Sequence, residues 1–376
     1  MERKAEVLIV GGGIMGLCIA YYASKMGIRG ITIIDRGKVG RGASTRNSSV
    51  LRETYAEEWM IRICQRGITL WEGLSGELNW NLLFDQKGHL SVLREEGHLQ
   101  SAIKAVLLQN SFGVRSSILQ PDEVFSIIPF ARREGILGAV YHKRGGSIHH
   151  DATIFAFEKA VRKIGVEIIE GLECERLEVS GGKVTGAKTS AGEVKAPKVI
   201  VAASNNTVSL CRQLGVDLPI KTFQREAMVT EPYKRFLKPV VNDRSTGLLL
   251  NQTLRGEIVI DHNQEEVQDW NGLDATLWFA RAVSNDICEL FPPLQHVRII
   301  RQWSGDYDLT PDRGPILGDV GAAEGLHVCS GFSGHGLMMA PAVGELFGEL
   351  LAKGVPPPLM KRFDLARFAA PAAARK

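Results

Sequence analysis

Residues 5–36 read AEVLIVGGGIMGLCIAYYASKMGIRGITIIDR, and this stretch decides the fold. Val7–Val10 is a continuous apolar run, which is typical of a strand buried on both faces. It leads without a linker into the G-x-G-x-x-G pattern of Gly11, Gly13 and Gly16. In this pattern the first glycine permits a tight turn, the second lets the backbone approach a pyrophosphate, and the third lets the next helix pack closely on the strand. The sequence therefore predicts a nucleotide-binding turn.

A helix and a second strand complete this unit. Apolar spacing predicts a helix over Ile14–Met26, whose free N-terminal amides can bind phosphate. Ile31–Ile34 is a second apolar strand that ends at Asp35, where a carboxylate can accept hydrogen bonds from ribose hydroxyls. The glycine motif alone could mark only a tight turn, but here strand, glycines, helix, second strand and acid stand at the required spacing. The predicted dinucleotide contacts are Gly11, Gly13, Ile14, Met15, Gly16, Asp35 and Arg36.

The composition limits the classes of function. Of the 376 residues 44% are hydrophobic and 23% are charged, and the formal net charge is +3, so two domains are expected and the charge gives no reason for a nucleic-acid partner. Six cysteines are scattered without a C-x-x-C pair, which predicts no zinc site, iron-sulfur cluster or disulfide framework. We therefore expect buried, reduced thiols, no metal and a cytoplasmic location. We expect neither a signal peptide nor a transmembrane helix.

The order of predicted elements divides the chain into two discontinuous domains of an α/β protein. Strands and helices of the nucleotide-binding type alternate in one set of segments, and shorter, alternating strands fill the other. The second set predicts an α+β substrate domain built on a mostly antiparallel sheet. The cofactor domain is assigned to residues 1–80, 150–217 and 311–376, and the substrate domain to residues 81–149 and 218–310.

Two helix starts follow from local sequence signals. We expect a helix over Ala152–Ile164, with Asp151 as its N-cap. Near the C-terminus, a strand over Leu326–Cys329 and a glycine-rich loop precede a helix predicted over Pro341–Ala352. Because strand, glycine loop and helix recur here, the C-terminal segment is expected to rejoin the cofactor domain.

Five further stretches carry a family resemblance: GRGASTRNSSVLRETY, FDQKGHLSV, KRGGSIHHDA, WSGDYDLTPDRGPILG and GFSGHGLMMAPAVGE. With the nucleotide motif they resemble the FAD-dependent D-amino-acid oxidase (DAO) superfamily, whose members have a glutathione-reductase-like FAD-binding domain of the Rossmann type. Within it, the chain is similar to sarcosine oxidase β subunits and to dye-linked proline or hydroxyproline dehydrogenase β subunits. The resemblance runs essentially from end to end and implies FAD as the cofactor.

The resemblance implies two loops around the flavin ring. The loop that starts at Ser44 would position the ring, and the GFSGHG loop would place backbone amides at a helix N-terminus against the negative charge of the reduced flavin. The alternative for GFSGHG is a tight turn that requires positive φ. Ala203-Ser204-Asn205 departs from the family, which more often has Ala-Gly or Thr-Gly there. The implied cofactor contacts are Ser44, Thr45, Arg46, Asn47, Ala203, Gly331, Gly334, His335, Gly336, Leu337 and Met338.

The resemblance also implies two catalytic residues and two departures from the family. Arg52 is expected to bind the substrate carboxylate, for which a planar guanidinium is suited; the alternatives are a solvated arginine or a pair with Glu53. His262 aligns with a pocket histidine and could assist the reaction, or be structural. Met338 stands where sarcosine oxidases commonly have lysine, which suggests a larger or more apolar substrate than sarcosine. Ile258 aligns with the lysine that activates dioxygen, which favours a dehydrogenase over an oxidase.

His150 follows Arg144-Gly145-Gly146 in a segment that, in the sarcosine oxidase β subunits, carries a histidine linked to a second flavin, FMN, at a subunit interface. The resemblance therefore raises the hypothesis of FMN at His150, which would imply a partner subunit. The alternative is a structural histidine beside the helix cap at Asp151.

The function expected from the sequence is FAD-dependent oxidation of a secondary or α-amino acid such as a sarcosine-, proline- or opine-like amine, by hydride transfer to flavin. The chain would act as a catalytic β-type subunit with α- or γ-type partners and an electron acceptor, and membrane association would be peripheral and through a partner. Two alternatives stay open. One is oxidation of a hydroxy acid or glycerol 3-phosphate, which a cluster of arginines would favour, and no such cluster is visible in the sequence. The other is a flavin-bearing electron-transfer subunit that is inactive alone.

Overall fold

The computed structural model describes residues 3–262 and 275–369. The strands, in chain order, are β1 (Arg3–Lys4), β2 (Val7–Val10), β3 (Ile31–Asp35), β4 (Val50–Leu51), β5 (His89–Leu93), β6 (Ser116–Leu119), β7 (Gly138–His142), β8 (Gly146–Ser147), β9 (Glu167–Glu170), β10 (Cys174–Ser180), β11 (Lys183–Thr189), β12 (Gly192–Lys195), β13 (Val199–Val201), β14 (Lys221–Thr230), β15 (Val240–Asp243), β16 (Leu248–Gln252), β17 (Ile258–His262), β18 (Ile299–Leu309), β19 (Ile316–Asp319) and β20 (Leu326–Ser330). The α-helices are α1 (Ile14–Lys25), α2 (Glu58–Glu77), α3 (Glu96–Ser111), α4 (Pro121–Ile127), α5 (His150–Lys163), α6 (Asn206–Arg212), α7 (Leu277–Leu290), α8 (Gly336–Lys353) and α9 (Pro358–Lys361).

A six-stranded sheet in the order β19-β20-β13-β2-β3-β9 forms the centre of the cofactor domain. Its strands are parallel except for the antiparallel pair β19 and β20. All four side chains of β2 are buried, as its apolar run predicts. The C-terminal strand β20 lies beside β13 in this sheet, so the last part of the described chain returns to the nucleotide-binding unit as expected. A separate sheet, β1-β12-β11-β10, packs alongside.

An eight-stranded sheet in the order β18-β14-β17-β16-β15-β5-β7-β6 forms the second half. It is antiparallel except for the parallel pair β15 and β5. One face is an apolar core closed by α7, to which Leu250, Ile258 and Ile260 contribute. The other face carries Ala227, Leu249 and Asp261 on three neighbouring strands, and these residues line a cavity. The strands of the two large sheets come from the two sets of segments named above; the domain boundaries themselves stay a prediction.

Glycines allow α1, α2 and α8 to pack closely. A Cβ on Gly344 of α8 would lie 2.7 Å from the backbone of Cys18 in α1, and a Cβ on Gly67 of α2 would lie 2.2 Å from the Met338 carbonyl oxygen. These contacts hold α8 between the other two helices. Five of the six free cysteines are buried as expected, whereas Cys288 is half-buried. Within the described residues, no helix is long and apolar enough to cross a membrane.

Two predicted helix starts were wrong. Helix α5 begins at His150 rather than Ala152, and its N-cap is His149, whose Nδ1 accepts from the Ala152 amide at 3.4 Å; Asp151 lies inside the first turn. Helix α8 begins at Gly336, so Pro341 is inside it. Proline cannot donate to the carbonyl four residues earlier, but that carbonyl, of Leu337, accepts from Trp71 Nε1 at 3.3 Å. The helix therefore tolerates the proline.

Candidate functional site

A cavity of about 520 Å³ lies between the two large sheets. It extends from Asp35, at the end of β3, to Met338, in the first turn of α8, and is lined by residues of both domains. Of the predicted cofactor contacts, those that line it are Gly11, Gly13, Ile14, Met15, Asp35, Arg36, Ser44, Arg46, Asn47, Ala203, Gly334, His335, Gly336, Leu337 and Met338. The other three predicted contacts are not among the lining residues: Gly16 packs against Gly11, Gly331 packs against Thr310, and Thr45 Oγ1 donates to the Gly40 carbonyl at 2.7 Å.

At the Asp35 end, the turn between β2 and α1 has the geometry that the glycine pattern predicts. Gly11 has φ +115°, and a Cβ there would lie 2.3 Å from the Ala202 carbonyl oxygen, so only glycine fits. The two carboxylate oxygens of Asp35 accept from the amides of Gly12 (2.7 Å) and Gly37 (2.8 Å). Each oxygen keeps a second lone pair for a ligand hydroxyl. The acid is thereby oriented at the edge of the cavity.

Two helix N-termini open into the same cavity. Neither Gly13, the N-cap of α1, nor His335, the N-cap of α8, makes a side-chain capping bond, and the first turns of both helices lack acidic residues. The Ile14 amide donates to Ser44 Oγ, and no acidic residue of the first turn offsets the positive partial charge of either helix end. One such end suits the pyrophosphate of a dinucleotide, and the other suits an anionic ring edge. The shape of the cavity and these two ends fit FAD.

The loop from Ser44 to Arg52 is tied to both domains. Ser44 Oγ accepts from the Ile14 amide at 2.9 Å, Arg46 donates to the Ser304 carbonyl at 2.9 Å, and Asn47 Nδ2 donates to the Ser44 carbonyl at 2.8 Å. A loop fixed at several points can hold a ring in one orientation.

Backbone strain is concentrated around this cavity. Ser49, Ser204, Ser333 and Arg313 all line it and have φ between 50° and 60°. A left-handed conformation costs a residue with a Cβ about 1–3 kcal/mol, and such residues cluster at functional sites. Ser204 thus adopts the backbone that a glycine would supply in the family.

The segment Ala203-Ser204-Asn205, which differs from the family pattern, is held by hydrogen bonds to β18. Ser204 Oγ and Asn205 Nδ2 donate to Asp308 and Asp306, both at 2.9 Å. Burial raises the pKa of the Asp308 carboxyl. Two aspartates of the WSGDYDLTPDRG stretch therefore supply hydrogen-bond acceptors for the serine and asparagine that this chain has in place of the family residues.

Arg52 lines the far end of the cavity. Its guanidinium stacks 4.2 Å above the Tyr55 ring and donates to the Thr54 carbonyl at 2.7 Å. Glu53 does not pair with it, because the Glu53 carboxylate contacts Arg144 at 3.2 Å instead. Arg52 has no acidic partner among the described residues. The guanidinium thus keeps donors available for an anionic ligand.

The structure brings two more arginines to this end, which the sequence did not group. Arg225 stacks 4.4 Å above the Tyr307 ring, and Arg313 lines the cavity nearby. Tyr307 OH donates to the Ser333 carbonyl at 2.5 Å, and its ring occupies the space where a Cβ on Gly334 would lie. The only advance signal was that Tyr307 and Arg313 belong to the WSGDYDLTPDRG stretch; Arg225 had none.

His335 lies between these cations. It is buried, its ring packs edge-on against Tyr55 at 5.2 Å, and burial together with Arg52, Arg313 and Arg225 lowers its pKa well below the usual value. The imidazole is therefore neutral at pH 7, and the positive charge of this end resides on the arginines.

The prediction of His262 as a pocket residue was wrong. Successive residues of a strand face opposite sides of its sheet, and it is Asp261 that lines the cavity. The His262 imidazole lies against α7, with Nε2 2.8 Å from Asp286 Oδ2. Ile258 shares the His262 side and is fully buried in the apolar core. Its alignment with an oxygen-activating lysine therefore does not hold, and the argument for a dehydrogenase drawn from it fails.

His150 lies outside the cavity lining, at the start of α5. Its Nδ1 is 2.7 Å from Ser49 Oγ, and burial lowers its pKa to about 4. The bond to Ser49 connects it to the loop from Ser44 to Arg52.

Comparison with known proteins identifies the family. Residues 6–350 match the family described as "DAO: FAD dependent oxidoreductase". The chain belongs to the DAO family. It is 30% identical to the sarcosine oxidase subunit beta of Rhodobacter capsulatus, over 98% of this chain and 89% of that protein, and 29% identical to the sarcosine oxidase subunit beta of Arthrobacter sp, over 98% and 92%.

Among solved structures, the L-proline dehydrogenase from P. horikoshii superposes with a TM-score of 0.92 at 29% identity, covering 98% of this chain and 99% of that one. The α/β architecture predicted from the sequence is thereby confirmed, and this DAO-family chain is an FAD-dependent oxidoreductase.

Proposed function

We propose that this DAO-family protein oxidises a secondary or α-amino acid at the carbon next to nitrogen. The observation that carries the proposal is Arg52, a half-buried guanidinium at the far end of the cavity that is stacked on Tyr55 and has no acidic partner among the described residues. A planar donor pair of this kind suits a carboxylate. Two similar proteins are named as sarcosine oxidase β subunits and one as an L-proline dehydrogenase, and sarcosine and proline are both secondary amino acids.

The residues of the chain bind and orient the substrate. FAD, when bound, would accept the hydride, which carries both electrons of the oxidation. The N-terminus of α8, where Leu337 and Met338 line the cavity, offers amides that would stabilise an anionic ring. Arg52 holds the carboxylate and so fixes which C–H bond points toward the ring. The half-closed cavity favours the neutral form of the amine, because desolvation disfavours the ammonium.

A second candidate function rests on the arginines. Arg52, Arg225 and Arg313 line the same end of the cavity, and such a cluster also suits a phosphate or a second carboxylate. Oxidation of a hydroxy acid or of glycerol 3-phosphate therefore remains the alternative. We place it second because the similar proteins named above act on amino acids.

We further propose that a carrier other than dioxygen reoxidises the protein, and that it acts as a β-type subunit with partner chains in the cytoplasm. The described lining of the cavity contains arginines and no lysine, which supports a dehydrogenase. The similar sarcosine oxidase chains are named as subunits, which supports partners. The proposal of partner chains includes the hypothesis that a second flavin, FMN, binds at His150 at a subunit interface.

Anaerobic mixing with a panel of compounds tests the proposal. The panel contains sarcosine, L-proline, hydroxyproline, an opine, lactate and glycerol 3-phosphate, and loss of flavin absorbance is the signal. We expect at least one secondary amine to reduce the flavin and expect slow reoxidation in air. Reduction by lactate or glycerol 3-phosphate alone would replace the amine proposal with the second candidate. An inactive isolated chain that gains activity with copurified subunits would favour the electron-transfer alternative.

Arg52→Ala tests the anchor. A charge-assisted hydrogen bond contributes about 1.5–3 kcal/mol, so losing the carboxylate contact should weaken substrate binding roughly 100-fold. Arg52→Lys should restore part of this loss, because it keeps the charge but not the planar pair. The matched control is Arg62→Ala, since Arg62 pairs with Glu58 on the surface of α2. Unchanged apparent affinity in Arg52→Ala would remove Arg52 from the substrate site.

A further inference from the structure

Three buried titratable side chains lead away from the cavity, and the proposed reaction gives them no role. His89 of β5 lines the cavity and is 3% exposed, His142 of β7 is 1% exposed, and Glu53 is 2% exposed. Buried groups of this kind are uncommon unless they are paired or used. They come from three separate parts of the chain and adjoin one another.

The sheet register brings the two histidines together. His89 and His142 are directly opposed in the antiparallel pair of β5 and β7. Opposed residues point to the same face, with Cβ atoms about 5 Å apart. A Cβ built on Gly145 would lie 2.7 Å from His89 Cβ and 3.3 Å from His142 Cδ2, so both side chains border one small space.

His142 connects in turn to Glu53. His142 Nε2 lies 3.4 Å from Glu53 Oε1, and the other oxygen of Glu53 contacts Arg144 at 3.2 Å. Within the described residues, neither ring nitrogen of His142 has a well-formed hydrogen bond. Arg144 also pairs with Glu72 at 2.8 Å, where both side chains are about one-third exposed at 34% and 37%. The series therefore extends from the cavity to the surface.

We propose that His89 accepts the proton that a substrate ammonium group must lose before oxidation, and that His142 passes this proton to the Glu53 carboxylate. This inference rests on the proposed amine oxidation. The ammonium N–H bond breaks and an N–H bond forms on His89. Each imidazole takes a proton on one nitrogen and releases one from the other, and an O–H bond forms on Glu53. The amine is left neutral, both histidines remain neutral, and no oxidant is involved.

The charges around the three groups are consistent with this direction of transfer. Burial lowers the pKa of His142 to about 4, and burial, Arg52 and His142 lower that of His89 well below its usual value. Burial raises the pKa of the Glu53 carboxyl, against the opposing effect of Arg144. The imidazoles therefore conduct a proton without retaining it, and Glu53 retains it.

The other groups that face the series are few. Glu72 of α2 faces Glu53 and raises its pKa, Arg144 faces both Glu53 and His142, and the backbone of Arg115 lies against the His142 ring. Cys64 of α2 also faces Glu53, but burial raises the pKa of its thiol far above the physiological range, so it stays protonated.

The test is the pH profile of anaerobic flavin reduction, using whichever amine of the panel reduces the flavin, beginning with L-proline and sarcosine. If the proton stays on Glu53, the second-order rate constant of the unmodified protein is independent of pH between the pKa of Glu53 and that of the amine, about 10 for an alkylamine. In His89→Gln, His142→Gln and Glu53→Gln only the amine that arrives neutral reacts, so the constant rises about tenfold per pH unit and approaches the unmodified value at high pH.

His327→Gln is the matched control, because His327 is a half-buried histidine of β20 whose pKa burial also lowers. It should leave the profile flat. If His142→Gln fails to bind FAD, the other two variants carry the test. A second readout needs no turnover. In an infrared pH titration, the band of a protonated carboxyl should appear at a pH above the usual pKa of glutamate, and this band should be absent in Glu53→Gln.

Two results would overturn the inference. A loss by the same factor at every pH in the three variants would show that the residues only maintain the shape of the pocket. A rise of the rate constant with pH in the unmodified protein would show that the proton goes to solvent. Failure of every amine to reduce the unmodified protein would instead refute the proposed function, and the relay with it.

Discussion

Gly67→Ala is the sharpest test of the packing that positions the flavin end of the cavity. Gly67 lies within α2, where a Cβ would be 2.2 Å from the Met338 carbonyl oxygen in the first turn of α8. Gly73 lies on the same helix, and a Cβ there would have no neighbour within 4 Å. Met338 lines the cavity, so any shift of that turn reaches the cofactor site.

Helix propensity alone predicts that alanine stabilises both positions, by about 1 kcal/mol. At Gly73 we expect that gain. At Gly67 the new contact is far shorter than van der Waals distance, so α2 and α8 must separate by roughly 1 Å. Overpacking of this kind costs about 1–3 kcal/mol, and the propensity gain is common to both positions, so Gly67→Ala should be less stable than Gly73→Ala by about 1–3 kcal/mol.

Urea unfolding of both variants and of the unmodified protein, without added FAD, measures the free energy of unfolding. Fluorescence titration with FAD measures cofactor affinity, which should fall only in Gly67→Ala. If Gly67→Ala proves as stable as Gly73→Ala and binds FAD equally well, α2 and α8 do not pack as described, and the account of the ring site fails with them.

Two further predictions concern the half-buried Lys87 and the second flavin. Burial lowers the pKa of Lys87 from 10.5 to about 8, so between these values the unfolded chain binds a proton that the folded chain has lost. The free energy of unfolding should therefore rise as pH increases through that window, and Lys87→Met should lose this rise in urea unfolding measured at both ends of it. For His150, the FMN hypothesis predicts two flavins per chain in the purified complex and one in His150→Ala. One flavin per chain in the unmodified complex would contradict it.

Local sequence patterns predicted the nucleotide-binding unit well. The bounds of β2 and the position of Asp35 at the end of β3 are those of the apolar runs, because each depends on neighbours in the chain. The start of α8 was missed because a proline inside a helix normally leaves the carbonyl four residues earlier without a donor. Here Trp71 of α2, far away in the sequence but packed against α8, supplies that donor. The cap of α5 was missed because aspartate is a common N-cap residue, whereas the helix begins at His150 and the histidine before it caps the helix.

The sequence predicted less well which side of its sheet a strand residue faces. His262 and Asp261 are neighbours, and a shift of one position exchanges core and cavity for both. The family resemblance favoured the histidine as the pocket residue, whereas the burial of Ile258 and Ile260 against α7 places the aspartate there.

By itself, the sequence determined the family, the cofactor class and the strand, turn and helix that hold the dinucleotide, because these depend on residues close together in the chain. Only the tertiary structure decided which charged groups meet. Arg52, Arg225 and Arg313 join one cavity, and His89, His142 and Glu53 form one buried series, because strand pairing and packing bring distant segments of the chain together. No spacing along the chain encodes such proximity, since it arises from strand register and from the burial of apolar faces.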